Sequence, residues 1–149
     1  MRHVTRHLEI VEELGVEEVE RIHHELYAAG RHGESPGRGF SIWLYEHGRD
    51  WVLARVPIDA LIYQTEWESS EERIALSRVY ARRTTELPPG IATYSERAWR
   101  RRSGKAYVAD GNHRILAAIE RGDDDVLMFM PAREFRVFAA DARSRGLAD

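Results

Sequence analysis

The stretch that most constrains the fold is residues 104–122, in which a short apolar run, a polar turn and a second apolar pattern follow one another. The run Ala106-Tyr107-Val108-Ala109 comes after the turn dipeptide Ser103-Gly104 and predicts a buried strand. The second pattern covers one face of about two helical turns and ends at Gly122, where a left-handed residue is favoured. It comprises Ile115, Leu116, Ala118 and Ile119. The stretch therefore predicts a strand that turns directly into a helix.

A polar turn, Asp110-Gly111-Asn112-His113-Arg114, joins this strand to this helix. The first turn of a helix leaves backbone N–H groups unpaired, and the helix dipole adds positive potential there. Both features favour an anion in front of the helix. Arg114 adds a planar fork of donors that suits phosphate oxygens. The residues alone predict a phosphate-binding turn, with a pocket at the C-terminal end of the 106–109 strand.

The turn and the Ile-Leu-Ala-Ala that follows it also resemble a family signature. The ParB/sulfiredoxin superfamily carries Gly-x-x-Arg or Gly-x-His-Arg before an Ala-rich helix, and its free-serine-kinase-like members read Asp-Gly-His-His-Arg. The resemblance covers residues 52–131 and implies that four residues bind nucleotide phosphates: Gly111, Asn112, His113 and Arg114. Sulfiredoxin chemistry is excluded, because it needs Cys where this chain has Asn112, and the chain contains no Cys.

The resemblance implies phosphoryl chemistry, either hydrolysis of a nucleoside triphosphate or transfer of phosphate to a small acceptor, although the sequence leaves open whether the site is catalytic. In this interpretation Asp110 positions magnesium or the acceptor, His113 serves as a phosphate or acid–base group, and Glu66 activates the nucleophile. Glu68 is a rival carboxylate. Each has a structural alternative: Asp110 as a helix cap, His113 as a hydrogen-bonding turn residue, and Glu66 as solvated surface.

A cluster of cations that precedes the motif supports an alternative function. It comprises Arg97, Arg100, Arg101, Arg102 and Lys105, with Trp99 among them. These residues suit nucleic-acid phosphates and base stacking, but we prefer a solvated hairpin tip as their interpretation. The ParB resemblance makes a DNA-associated module or a nuclease the alternative function. Specific DNA binding of the partition-protein kind is less favoured, because a helix-turn-helix and a dimerisation segment do not fit after residue 131.

Composition narrows the remaining function classes. A length of 149 residues fits one domain with its own core, and the net charge of -3 excludes a generic polyanion binder. No apolar run approaches the ~20 residues needed to cross a bilayer, and no signal core follows the N-terminus, so we expect a cytoplasmic protein without a membrane partner. The pairs His3/His7 and His23/His24 lack a third ligand at suitable spacing, so zinc is not predicted. The oligomeric state is not predicted.

The remaining segments predict an α+β fold: a small mixed sheet flanked by helices, similar to the ParB/sulfiredoxin fold, with an extra N-terminal helical region. We expect a single domain, divided into a helical extension and loop (1–39), a core (52–131) and a C-terminal helix (132–149). One predicted helix spans 5–30, with a break at Gly15, and another opens with the capping box Ser69-Ser70-Glu71-Glu72 and ends at about Arg83. Predicted strands span 40–45 (or a helical turn), 51–58, 91–94 and 126–131.

Overall fold

The computed structural model describes residues 6–29, 38–63 and 88–149, and the predicted α+β class is confirmed. These residues form a six-stranded mixed sheet flanked by helices. Along the chain the elements are β1 (Glu9–Gly15), α1 (Val16–Ala29), α2 (Arg38–Glu46), β2 (Asp50–Pro57), a 3-10 turn (Ile58–Ala60), β3 (Leu61–Ile62), β4 (Gly90–Thr93), α3 (Glu96–Arg101), β5 (Ala106–Asp110), α4 (Asn112–Arg121), β6 (Asp125–Pro131) and α5 (Ala132–Ser144).

The strand order is β1-β2-β6-β4-β5-β3. β2 is antiparallel to both β1 and β6, and β4 is antiparallel to β5. β4 and β6 are parallel, as are β3 and β5. This topology places the C-terminal ends of β2 and β5 at the same end of the sheet as the N-terminal ends of β4 and β6. The turn predicted to bind phosphate lies at that end.

Both faces of the central strands are buried, which explains the unalternating apolar sequence of β6. Met128 and Met130 belong to a core cluster that includes α4 and α5, whereas Phe129 belongs to a second cluster with α1 and α2. The residues of β2 divide in the same way, with Val52 in the first cluster and Trp51 in the second. The sheet therefore lies between α4 and α5 on one face and α1 and α2 on the other.

The predicted helix over 5–30 is wrong in its first half, because residues 9–15 form the edge strand β1. The spacing of Leu8, Val11 and Leu14 is helical, but within the strand only Leu14 is buried, and Val11 is 52% exposed. Pairing of the backbone with β2 thus outweighs the helical pattern. The helix begins only at Val16, after Gly15. The N-terminal region is accordingly part of the sheet and not a purely helical extension.

At 40–45 the predicted strand is wrong and the helical alternative is confirmed, since these residues lie in α2 with Leu44 fully buried. Residues 38 and 39 of the predicted loop belong to the same helix, whereas 31–37 and the helix predicted from Ser69 to about Arg83 lie outside the described residues. Between β4 and β5 the structure has the helix α3 instead of a simple hairpin tip. The strands predicted at 51–58, 91–94, 106–109 and 126–131 are confirmed, as is the last helix.

Each helix within the three described ranges is too short or too polar to cross a membrane.

Candidate functional site

The predicted strand–turn–helix is confirmed, and Gly111 alone separates β5 from α4. Gly111 has φ 100° and ψ 20°, a left-handed backbone conformation that residues with a Cβ atom rarely adopt. Its carbonyl oxygen accepts the N–H groups of Arg114 and Ile115 at 3.0 and 3.1 Å, which closes the first turn of α4. A Cβ atom at Gly111 would lie 3.0 Å from the Cα atom of Gly90. The turn therefore packs closely against the start of β4.

Asp110, the last residue of β5, lies opposite Ile91 of β4 and so points to the α1 side of the sheet. There its Oδ2 atom accepts two hydrogen bonds. The Nε2 atom of His23 lies 2.7 Å away, and the Nη2 atom of Arg114 lies 3.1 Å away. His23 is only 1% exposed, so this carboxylate is held from inside the protein.

These contacts set the charge of the Asp110 carboxylate. Burial, the largest single effect, raises the pKa of Asp110. The hydrogen bond from His23, the positive charge of Arg114 and their further interactions act in the opposite direction and together outweigh it. The pKa of Asp110 is therefore lowered below its usual value, and the group is ionised at neutral pH.

Arg114 is turned partly into the protein, with a side chain only 14% exposed. Its Nη1 atom donates to the carbonyl oxygen of Pro89 at 2.7 Å, and its Nη2 atom donates to Asp110. The guanidinium group has five N–H donors, so these contacts leave others for a ligand. Arg114 thus ties the turn to the start of β4 and also borders the adjacent cavity.

A cavity of about 420 Å³ lies at the C-terminal end of β5, where the sequence places a pocket. Three arginines line it: Arg55, Arg114 and Arg121. Three aspartates also line it: Asp123, Asp124 and Asp125. Asp125 pairs with Arg55 at 2.9 Å, and Asp123 pairs with Arg121 at 3.2 Å. The apolar side of the cavity includes Ile115, Val126 and Met128. Its volume is in the range of sites for small molecules and cofactors, and its lining offers both donors and acceptors.

The other residues predicted for the phosphate site lie at the start of α4. Asn112 is buried and His113 is half-buried, and both interact with other groups of the protein. Glu66 and Glu68 lie outside the described residues, so their roles stay predictions. Within the described part of the chain, no three His, Asp or Glu side chains form a group that could hold a metal ion. The role of Asp110 toward magnesium likewise stays a prediction.

The cation cluster lies at the opposite end of the strands, in the connection between β4 and β5. Arg97, Arg100 and Arg101 lie on α3, followed by Arg102 and Lys105, and all five side chains are exposed. Trp99 differs, because its indole packs partly against the core. The guanidinium carbon of Arg133 lies 5.3 Å from the Trp99 ring centroid and covers part of the ring. Stacking of a base on Trp99 is therefore less favoured than phosphate contacts by the arginines.

His23 is the site residue that sequence reasoning missed. It continues the buried stripe of α1 formed by Val16 and Val19, and a histidine on such a stripe indicates a buried polar partner. That signal was available, but the identity of the partner was not, because Asp110 lies 87 residues away in sequence.

Comparisons of the chain with protein-family models, with curated proteins and with solved structures found no match. The superfamily resemblance stays a prediction from the motif, and the function has to be argued from the site itself.

Proposed function

We propose that this protein is a ParB-like nucleotide-binding protein that holds the phosphates of a nucleoside triphosphate at the Gly111 turn. The proposed chemistry is hydrolysis of the triphosphate or transfer of phosphate to a small acceptor. One observation carries the proposal: Gly111, the residue that precedes α4, and three arginines border the same cavity of about 420 Å³. The superfamily resemblance of the motif adds support from the sequence.

In this proposal the backbone N–H groups at the start of α4 and the remaining donors of Arg114 bind phosphate oxygens. Arg55 and Arg121, which also line the cavity, would neutralise further phosphate charge. Asp110 orients Arg114 through its Oδ2 atom, which accepts from two donors, and its proposed role toward magnesium is kept. Magnesium would arrive with the nucleotide phosphates, since proteins usually bind it through one or two carboxylates together with the phosphates. When bound, it would neutralise charge on the transferred phosphoryl group.

A melting-temperature screen with ATP, ADP, CTP and GTP, each with and without magnesium, tests the binding step. A nucleotide at about 100 times its Kd should stabilise the protein by about 2.7 kcal/mol, which corresponds to roughly 5–10 °C for a chain of this length. The proposal is wrong if none of the four nucleotides raises the melting temperature at millimolar concentration.

Three variants locate the site. Arg114→Gln and Arg121→Gln should abolish or strongly reduce the nucleotide-dependent shift. Arg100→Gln is the matched control. Like Arg121, Arg100 pairs with one acid, Glu96 at 2.8 Å, but it lies at the opposite end of the strands. Release of inorganic phosphate then measures turnover. Glu66→Gln should abolish that release while leaving the nucleotide-dependent shift intact.

The exposed cluster on α3 favours one second candidate, a DNA-associated module or nuclease. Fluorescence anisotropy with duplex DNA at several salt concentrations measures this binding. The double variant Arg100→Ala/Arg101→Ala should reduce the slope of log K against log salt by about 2, near 0.9 for each lost phosphate contact. Loss of DNA binding together with an unchanged response to nucleotides would identify two separate anion sites.

A further inference from the structure

A buried histidine from the N-terminal region reaches the candidate site from the other helical layer. His23 lies on α1, and its Nε2 atom is 2.7 Å from Oδ2 of Asp110. One face of its imidazole stacks on Phe40 of α2, with ring centroids 4.3 Å apart and an interplanar angle of 23°. Two helices therefore fix both the position and the plane of this ring.

The same carboxylate oxygen connects His23 to the cavity wall. Oδ2 of Asp110 also accepts from Nη2 of Arg114 at 3.1 Å, and Nη1 of Arg114 donates to Pro89 at 2.7 Å. A guanidinium group is planar and rigid, so two fixed nitrogen atoms fix the directions of its other N–H groups. Those directions decide whether the remaining donors of Arg114 meet a ligand in the cavity.

We infer that His23 is a positioning residue of the nucleotide site: it holds the Asp110 carboxylate, which in turn holds the Arg114 guanidinium at the cavity wall. This inference rests on the proposed function. The physical reason is that a carboxylate held by Arg114 alone could swing together with it, whereas a second donor anchored in α1 removes that freedom. In metal sites, removing a group that orients a ligand from behind typically weakens affinity about 10–100-fold, and the same reasoning applies to an oriented arginine.

Substitutions at His23 separate positioning from a merely structural role. His23→Leu removes the donor. His23→Gln restores one, because its amide nitrogen is the same number of bonds from Cα as the Nε2 atom of histidine. His23→Asn is a second polar variant whose amide nitrogen is one bond closer to Cα and falls short of Asp110. His24→Leu is the matched control on the same helix, since His24 is the neighbouring, half-buried histidine.

The first measurement uses the ligand-free protein, so it does not depend on nucleotide binding. NMR follows solvent exchange of the Arg114 side-chain N–H signals. We expect exchange at least about tenfold faster in His23→Leu and His23→Asn than in wild type, near-wild-type exchange in His23→Gln, and no change in His24→Leu. The inference is overturned if exchange in the variant without a donor equals that of wild type, or if His23→Gln fails to restore protection.

The second measurement is the affinity for ATP and CTP with magnesium. We expect about a tenfold weaker Kd in His23→Leu, the effect of one hydrogen bond to a charged group, and recovery in His23→Gln. An affinity that falls equally in His24→Leu overturns the inference. If wild type binds none of the nucleotides, the proposed function fails, and the exchange of the Arg114 signals alone decides whether His23 orients Arg114.

Discussion

Replacing Gly111 by alanine tests the geometry on which the site depends, and Gly122→Ala provides an internal control. Both glycines have positive φ, 100° and 82°, so both variants place a side chain in a left-handed conformation at a cost of about 1–2 kcal/mol. A Cβ atom at Gly122 would meet nothing within 4 Å, whereas one at Gly111 would lie 3.0 Å from Cα of Gly90. Overpacking against this backbone adds about 1–3 kcal/mol. We therefore expect Gly111→Ala to cost about 2–5 kcal/mol.

Urea unfolding measures both variants, with the free energy of unfolding taken by linear extrapolation. Any gain from a less flexible unfolded chain is common to the two substitutions and cancels in their difference. The difference between them therefore reports the close approach of Gly111 to Gly90. An equal loss of stability in the two variants would falsify that approach, and with it the description of the turn as packed against β4.

Three further predictions concern the charges and buried hydrogen bonds. The pKa of Asp110 is lowered in the folded state, so the stability that its carboxylate contributes is present above about pH 4 and is lost as the pH falls through the folded pKa. In Asp110→Asn the free energy of unfolding should therefore fall less steeply with decreasing pH than in wild type. Tyr94→Phe should cost about 1–3 kcal/mol in urea unfolding, because the buried hydroxyl donates to Asp141 at 2.7 Å and accepts the Gly104 N–H at 3.0 Å. Arg100→Ala should leave the melting temperature nearly unchanged, since its ion pair is highly exposed.

The central part of the fold could be predicted because its signals are local. An apolar run followed by one glycine and an amphipathic pattern fixes β5, the turn and α4 within 19 residues of sequence. Gly122 ends the helix in the left-handed conformation that its position indicates. The apolar run of β6 likewise predicts a strand covered on both faces, and the structure has it between β2 and β4.

The N-terminal third is harder to predict because its apolar pattern fits both a helix and a strand. Leu8, Val11 and Leu14 are spaced as on a helix, and no turn residue precedes Gly15 to indicate a separate strand. An edge strand needs few buried side chains, so β1 carries only a weak alternation, and its pairing with β2 decides the outcome. The aromatic residues at 40–45 suggest a strand by composition, yet they form a helix that packs Leu44 against the sheet.

In the candidate site, too, the residues that are close in sequence can be predicted, and the contact between distant residues cannot. Residues that can face a ligand lie together in the motif, so the turn and Arg114 are visible in the sequence. The orientation of Arg114 depends on Asp110, whose partner His23 lies on a helix 87 residues earlier. A periodic pattern identifies the buried face of α1 but not the residue that this face meets. The motif is therefore visible in residues 110–114, whereas His23, which contacts Asp110, lies on α1 in a different layer of the fold and cannot be identified from a local pattern.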